Sequence, residues 1–281
     1  MRSRLVAVAA VATFVILAAP AFAAASPAKS TTQYYLALGD SLSRGAQPDS
    51  SGVTVPTNQG YTNDLFAQEQ SHFKGLKLKE LGCLGESTVT MMKGGICTYP
   101  GGSQLAAAVA FLHQHKGHIA FVTIDIGAND IDGCVVGGSI DLTCLKKGVR
   151  QIKRNIPKIS AALRKAAGGS VPIVGMTYYD PFLAAWFNGS SGQMLAAASQ
   201  TLSKTVNADI VKAYATQKVK TADVARAFHT YTSLSKGSPV PTAVAEICNL
   251  TWMCVPPPQG PNIHANATGY STIATVFKKL V

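Results

Sequence analysis

The 281-residue sequence predicts an α/β fold, in which a mostly parallel five-stranded sheet lies between two layers of helices. Two observations lead to this prediction. Short, largely apolar runs alternate along the chain with longer segments of helical pattern, and this alternation is typical of a parallel sheet covered on both faces. About 250 residues follow the N-terminal leader without a linker or an internal repeat, which indicates a single domain.

Five segments that end in glycine-containing or polar loops are the strand candidates: 34–38, 76–81, 119–126, 171–178 and 219–224. The helical candidates lie between and after these segments: 61–70, 103–115, 148–166, 193–216 and 266–280. The carboxyl ends of parallel strands share one edge of a sheet, so the loops that follow these strands are expected to converge.

The N-terminus has the pattern of a secretory signal peptide. Arg2 and Arg4 precede an apolar run over 5–19, and Ala21-Phe22-Ala23 suits cleavage near Ala23. The alternative is an uncleaved membrane anchor, for which the run is short. We therefore expect an exported, extracellular protein with a signal peptide over 1–23, a short leader over 24–32 and one domain over 33–281.

The sequence is basic. Its formal net charge of +11 falls to about +9 when the leader, which holds two arginines and no acid, is removed. The densest basic group is Lys146-Lys147, Arg150 and Lys153-Arg154 on one predicted helix, which we interpret as a solvated helix face, with a binding patch as the alternative. No nucleic-acid partner is predicted, whereas anionic substrates or surfaces outside the cell are favoured.

Six cysteines in an exported chain indicate an oxidising compartment and three disulfides. They fall into three local pairs, so nearest-neighbour pairing is expected from the grouping alone, and other connectivities stay open. The pairs are Cys83 with Cys97, Cys134 with Cys144, and Cys248 with Cys254. The sequence has no C-x-x-C or H-E-x-x-H pattern, so no metal site is predicted.

Four loops bring reactive residues to the same predicted edge of the sheet. Ser41 lies in a glycine-bracketed turn after the first strand, and the other loops are 82–87, 127–130 and 262–264. Ser41 in that position suits a nucleophile, although an ordinary helix N-cap is the open alternative. Together the loops offer a nucleophile, backbone amides, a side-chain amide and a histidine.

This set of groups fits acyl transfer. The Ser41 hydroxyl must lose a proton as it attacks, and His264 is suited to accept it because imidazole titrates near neutral pH. The tetrahedral oxyanion needs fixed donors, which the backbone amides of Ser41 and Gly85 and the side-chain NH2 of Asn129 can supply. We predict no cofactor.

These residues lie in four blocks that resemble those of the SGNH, or GDSL, hydrolase family. The blocks are Gly39-Asp40-Ser41-Leu42, the glycine block over 83–88, Gly127-Ala128-Asn129-Asp130, and the histidine block over 264–270. The resemblance spans nearly the whole mature chain. It implies a flavodoxin-like three-layer α/β/α sandwich, with Ser41 and His264 as the catalytic residues and Ser41, Gly85 and Asn129 as the oxyanion hole. The cysteine pairs resemble those of secreted actinobacterial lipases and esterases of the family.

One position departs from the family pattern. The family commonly has an aspartate three residues before the histidine, where this sequence has Pro261, and no carboxylate lies between Glu246 and the C-terminus. Some secreted members resembling this chain use a backbone carbonyl there. We therefore expect the Pro261 carbonyl, or as second choice the Asn262 side chain, to accept the imidazole N–H. A neutral acceptor still fixes the tautomer.

Other polar residues near these loops receive a structural interpretation. Asp40 and Asp130 flank the site and are expected to hold its loops, and Asp180 is expected to begin a turn. The histidines of the segment 113–118 span a helix end, which suits a polar turn better than a metal site.

The sequence thus predicts a secreted serine esterase or lipase, monomeric and acting on a small-molecule or lipid ester, with transient contact with lipid or cell-envelope surfaces. Segments 181–187 and 250–253 are the candidates for lining an acyl pocket, although core packing explains Trp186 equally well. A carbohydrate O-acetyl esterase is the nearest alternative, and a non-catalytic secreted binding protein is the next. An α/β-hydrolase is disfavoured because no G-x-S-x-G elbow occurs.

Overall fold

The protein is described by a computed structural model over residues 32–234 and 239–281, so the predicted signal peptide and nearly all of the short leader lie outside the described residues. A five-stranded sheet lies at its centre, and each neighbouring pair of strands is parallel. The strands are β1 (Gln33–Gly39), β2 (Leu76–Glu80), β3 (Ile119–Asp125), β4 (Ile173–Met176) and β5 (Lys220–Ala222). The predicted α/β class and five-stranded parallel sheet are confirmed.

The order of strands across the sheet is β2-β1-β3-β4-β5, so the direction of winding reverses between β1 and β3. The last residues of these two strands, Gly39 and Asp125, are register partners. Ligands of open parallel sheets bind beyond the carboxyl ends of the strands at such a reversal. The topology therefore places a site directly beyond Gly39 and Asp125.

Helices cover both faces of the sheet. They are α1 (Tyr61–Glu69), α2 (Thr88–Lys93), α3 (Gln104–Gln114), α4 (Leu142–Ala167), α5 (Gly189–Ala215), α6 (Val224–Ala227), α7 (Thr242–Leu250) and α8 (Ala267–Lys278). Helices α1, α6, α7 and α8 pack into one apolar core, and α2, α3, α4 and most of α5 pack into the other. In the described ranges, no helix is long and apolar enough to span a membrane.

Strand β1 is a continuous apolar run because an apolar core covers each of its faces. Tyr35 and Ala37 belong to the first core, whereas Leu36 and Leu38 belong to the second. Successive side chains of a strand point to opposite faces, so a strand covered on both sides needs apolar residues at every position.

Several elements differ in length from their predicted bounds, and hydrogen bonds explain the differences at α4 and β4. Helix α4 begins at Leu142 rather than at 148, because Asp141 caps it by accepting the amides of Thr143 and Cys144 at 2.8 and 3.0 Å. Strand β4 ends at Met176 rather than at 178, since the amide of Tyr178 donates to a side chain of α5 instead of to a neighbouring strand.

Short elements that have no clear periodicity connect these layers. Three pairs of short strands are antiparallel: Gln47–Pro48 with Thr54–Val55, Val135–Val136 with Ser139–Ile140, and Thr251–Trp252 with Asn262–Ala265. The 3-10 turns are Ala128–Asp130, Asp132–Cys134 and Pro181–Phe187. Disulfides join Cys83 to Cys97, Cys134 to Cys144 and Cys248 to Cys254, the three pairs that the sequence grouping favoured.

Candidate active site

Ser41 lies in the loop that follows β1. Gly39 has a φ of +142°, and a Cβ there would overlap the Asp125 carboxyl group, so glycine lets β1 end this close to β3. The Asp125 Oδ2 atom accepts the backbone N–H groups of Asp40 and Ser43, both at 3.1 Å. A buried side chain of β3 therefore holds the loop that carries Ser41.

The residues after Ser41 form a turn and not a helix. The amides of Arg44 and Ala46 donate to the Ser41 carbonyl at 3.2 and 3.0 Å, and the next helix begins only at Tyr61. Ser41 is therefore not a helix N-cap, which was the open alternative for this position.

His264 reaches Ser41 from a position 223 residues further along the chain. It lies in the short strand Asn262–Ala265 that precedes α8, and its Nε2 atom is 2.8 Å from Ser41 Oγ. The Tyr179 hydroxyl donates to the Ile263 carbonyl at 2.8 Å and so holds this strand next to the site. The structure thus brings together the two residues predicted as nucleophile and base.

The Asn262 side chain determines which nitrogen of His264 carries the proton. Its Oδ1 atom accepts the backbone N–H of His264 at 3.0 Å and lies 2.7 Å from Nδ1. Because a backbone N–H only donates, the side-chain atom facing it is oxygen, and Nδ1 must then be the protonated ring nitrogen. Nε2 is left free to accept the Ser41 proton, as nucleophilic catalysis requires.

This geometry corrects the expected order of acceptors for the imidazole N–H. The sequence predicts the Pro261 carbonyl as first choice and the Asn262 side chain as second, whereas among the described residues Asn262 Oδ1 is the acceptor at Nδ1. The side chain folds back along its own strand and meets both donors of His264, so the ring nitrogen reaches the amide oxygen in place of the carbonyl.

Thr54 fixes the orientation of that amide, since Asn262 Nδ2 donates to Thr54 Oγ1 at 2.8 Å. Thr54→Val keeps the shape but removes the acceptor, so we predict a fall in kcat for ester hydrolysis of about fivefold, the value of one neutral hydrogen bond, with KM unchanged. Thr54→Ser is the matched control and is expected to behave as the wild type. Equal kcat values for the two variants in steady-state assays would contradict this role.

Burial lowers the pKa of His264 to about 4, so its imidazole is neutral at ordinary pH. A general base acts in its neutral form, so activity is present above this pKa and is lost as the pH falls through it. We predict that kcat/KM for an uncharged ester is level from about pH 8 to about pH 5 and falls to half near pH 4, well below the ordinary value of 6.5.

The matched variant for this pH profile is Asn262→Asp. A carboxylate beside the ring favours the imidazolium, so the half-point is expected to move to higher pH. A wild-type half-point near pH 6.5, or a profile that Asn262→Asp leaves in place, would show that the buried environment does not control this base.

Two further predicted donors lie in adjoining loops. Gly85 has a φ of +78°, which favours glycine at this turn although the space around it is open. The Asn129 side chain donates one N–H to the Glu86 carbonyl at 3.0 Å, and its other N–H has no acceptor among the described residues. Asp130 accepts the amide and hydroxyl of Thr88 at 2.8 and 2.7 Å, which ties the two loops together.

A cavity of about 930 Å³, counting its open mouth, begins at Ser41, Asn129 and His264. Its walls come from the 3-10 turns after β3 and β4, the hairpin over 135–140, the start of α4 and the middle of α5. Most of the side chains lining it are apolar, among them Ile131, Val135, Ile140, Leu145, Phe182, Leu202, Val206 and Ile210. Concave sites with largely apolar walls and a few polar groups are typical of sites that bind small molecules or acyl chains.

Three carboxyl groups also line this cavity: those of Asp40, Asp132 and Asp180. Burial, together with the nearby carboxylates, raises the pKa of Asp132 to about 8, and burial raises the pKa of Asp180 to about 6. Asp132 is therefore mostly protonated at neutral pH, so the cavity carries less charge than its sequence implies. Asp180 begins the turn that was expected there, since its Oδ1 atom accepts the Phe182 amide at 3.0 Å.

Asp40 and Asp125 form a buried pair beneath Ser41. The Asp40 carboxylate accepts the Leu42 amide at 2.9 Å and the Tyr178 hydroxyl at 2.8 Å, so it holds the loop, in line with its structural interpretation. Burial raises the pKa of both carboxyl groups, and the charge of Asp40 raises that of Asp125 further. Asp125 was not predicted. An acid inside the apolar run 119–126 was the signal for it.

The remaining candidates lie away from this site. The His115 ring packs against Tyr34 and Phe111, and within the described ranges no three metal-ligating side chains are grouped. Trp186 packs against the first core, as its alternative interpretation held. Of the two candidate pocket segments, 181–187 contributes to the cavity wall through Pro181 and Phe182, whereas residues 250–253 are not among those lining it.

Solved structures of other proteins share the fold of this chain. Among solved structures, phospholipase A1 from Streptomyces albidoflavus NA297 is 17% identical with a TM-score of 0.59, and an extracellular lipase from Streptomyces rimosus is 20% identical with a TM-score of 0.57. Both comparisons cover 89% of this chain and 100% of the other. A catalytic mutant of an acetylxylan esterase from Geobacillus stearothermophilus is 14% identical with a TM-score of 0.50, over 88% and 93% of the two chains.

At these identities the structural likeness shows the fold, which is that of the SGNH hydrolases. No curated protein is a significant match to the sequence. The family model described as GDSL-like Lipase/Acylhydrolase family matches residues 37–271, a span that includes all four sequence blocks. The chain belongs to the GDSL-like lipase/acylhydrolase family of hydrolases.

Proposed function

We propose that the protein is a secreted serine hydrolase that cleaves carboxylic esters with an aliphatic acyl group. The observation that carries this proposal is the 2.8 Å contact between Ser41 Oγ and His264 Nε2 at the mouth of a largely apolar cavity. A reactive pair in that position meets an ester carbonyl whose acyl chain lies along the cavity wall.

The reaction follows from the hydrogen bonds of the site. Ser41 Oγ attacks the ester carbonyl carbon while Nε2 of His264 takes its proton, and Asn262 stabilises the imidazolium through Nδ1–H. The amides of Ser41 and Gly85 and the free N–H of Asn129 stabilise the oxyanion. His264 then gives the proton to the leaving alcohol, and the resulting acyl-enzyme is hydrolysed by water through the same steps.

Export of the protein is part of this proposal. The N-terminal pattern is that of a signal peptide, and three disulfides close surface loops, which suits an oxidising environment. The structurally similar Streptomyces rimosus lipase is described as extracellular.

The first test is hydrolysis of p-nitrophenyl esters from acetate to palmitate by the mature chain. We expect kcat/KM to rise beyond acetate, because a longer chain buries more apolar surface in the cavity. Turnover of acetylated sugars in preference to all longer esters would favour a carbohydrate O-acetyl esterase. A folded protein that neither hydrolyses esters nor reacts at Ser41 with a fluorophosphonate would be a binding protein on the same scaffold.

A further inference from the structure

Helix α4 carries eight lysines and arginines and no aspartate or glutamate along its 26 residues. Its buried side chains, such as Ile152, Ile156 and Ile159, face the second core. The exposed cations recur at helical spacing on the other side: Lys146, Lys147, Arg150, Lys153, Arg154 and Lys158. The helix thus presents a continuous basic face to solvent.

Most of this charge is uncompensated. Within the described ranges, the one ion pair of these side chains joins Lys153 to Asp209 of α5 at 3.4 Å. Lys146, Arg150, Lys153 and Arg154 line a shallow groove between α4 and α5. Asp141 caps the start of this helix, and its carboxylate accepts two amides of α4.

The basic groove shares a wall with the cavity of the candidate active site. Leu145, Leu202 and Val206 line both. Two large apolar side chains beside this wall are exposed: Val136 at 68% and Leu142 at 55%. Each lies within two residues of a cavity-lining side chain, Val135 or Ile140, so the apolar side chains border the cavity at the N-terminal end of the basic face.

We propose that this surface, which we call the α4 patch (Val136, Leu142, Lys146, Lys147, Arg150, Lys153 and Arg154), docks the protein on an anionic lipid surface. Basic side chains approach anionic headgroups, and exposed apolar side chains at the end of the same face enter the boundary with the acyl region. The proposal deepens the proposed function, since docking brings the cavity next to acyl esters within a lipid layer.

The apolar end of the α4 patch favours a lipid layer over a soluble polyanion. A polyanion is attracted by the lysines and arginines alone and gains nothing from Val136 and Leu142, whereas a lipid surface is attracted by both parts. Each cation near an anionic surface contributes about fivefold to partitioning, so three of them together contribute roughly 100-fold.

The test measures vesicle flotation of the mature protein with Ser41→Ala in the background, so that the lipid is not consumed. We expect binding to vesicles of phosphatidylcholine mixed with phosphatidylglycerol and little binding to phosphatidylcholine alone. Lys146→Gln, Arg150→Gln and Arg154→Gln combined should lower partitioning roughly 100-fold. Lys74→Gln, Lys77→Gln and Lys79→Gln combined, with the same charge change on exposed residues at β2, should lower it much less.

A second variant separates the lipid from a polyanion. Val136→Ser combined with Leu142→Ser should weaken vesicle binding and leave retention on a polyphosphate resin unchanged. Equal vesicle binding by the two triple glutamine variants, one on α4 and one at β2, would overturn the proposal. Vesicle binding that the double serine variant leaves unchanged would overturn it as well. Hydrolysis of a soluble short-chain ester by the same variants with Ser41 intact is expected to equal the wild type, so failure of the proposed function is recognised separately.

Discussion

Replacing Ser41 by alanine is expected to lower kcat for ester hydrolysis by about 10⁴-fold or more, the usual cost of removing an activated nucleophile. The loss follows from the 2.8 Å contact with His264, since without the hydroxyl the base has no proton to accept and no acyl-enzyme forms. KM should change little, because the cavity walls are untouched. Steady-state kinetics with a p-nitrophenyl ester measure both parameters.

The matched control for Ser41→Ala is Ser190→Ala, the same change at an exposed serine near the start of α5. A fluorophosphonate should label the wild type and the control but not Ser41→Ala. Activity of Ser41→Ala within tenfold of the wild type would mean that another group performs the chemistry, and the assignment of the site would be wrong.

Replacing Asn129 by alanine should give the second largest effect, a fall in kcat of about 10² to 10³-fold with KM nearly unchanged. In the proposed mechanism, the free side-chain N–H of Asn129 binds the substrate oxygen only when that oxygen becomes an anion, so loss of this N–H should raise the barrier and leave substrate binding unchanged. The variant also removes the donor to the Glu86 carbonyl, which should lower stability by about 1 kcal/mol.

Kinetics and thermal unfolding together distinguish these two consequences. Ser203→Ala truncates another polar side chain that lines the cavity and serves as the control, with kcat near that of the wild type. If Asn129→Ala raised KM and kept kcat, the amide would act in substrate binding and not on the oxyanion.

The parts of the site that the sequence predicts are those with local signals. Ser41 follows an apolar strand inside a glycine-bracketed turn, and Asn129 and His264 stand in short motifs whose order along the chain carries information. The centre of the parallel sheet is predictable for the same reason, because β1, β3 and β4 are buried on both faces and are therefore largely apolar runs.

Contacts between distant segments leave no such trace. Thr54 and Asn262 are 208 residues apart, and nothing in the sequence around Thr54 marks it as the partner of the amide beside His264. The acceptor at His264 Nδ1 depended on a side-chain rotamer of Asn262, which spacing alone does not determine. The hairpin over 135–140 is too short for periodicity, so its part in the cavity wall was not predicted either.

The proposed nucleophile and the walls of the cavity belong to separate parts of the architecture. Ser41 is held by the strands of the sheet through Asp125, whereas much of the wall comes from the hairpin over 135–140, from α4 and from α5. The disulfide between Cys134 and Cys144 joins the turn before that hairpin to the start of α4. The wall can therefore be remodelled, by evolution or by design, without disturbing the alignment of nucleophile and base. The same nucleophile and base can in this way act on different substrates as the cavity wall changes.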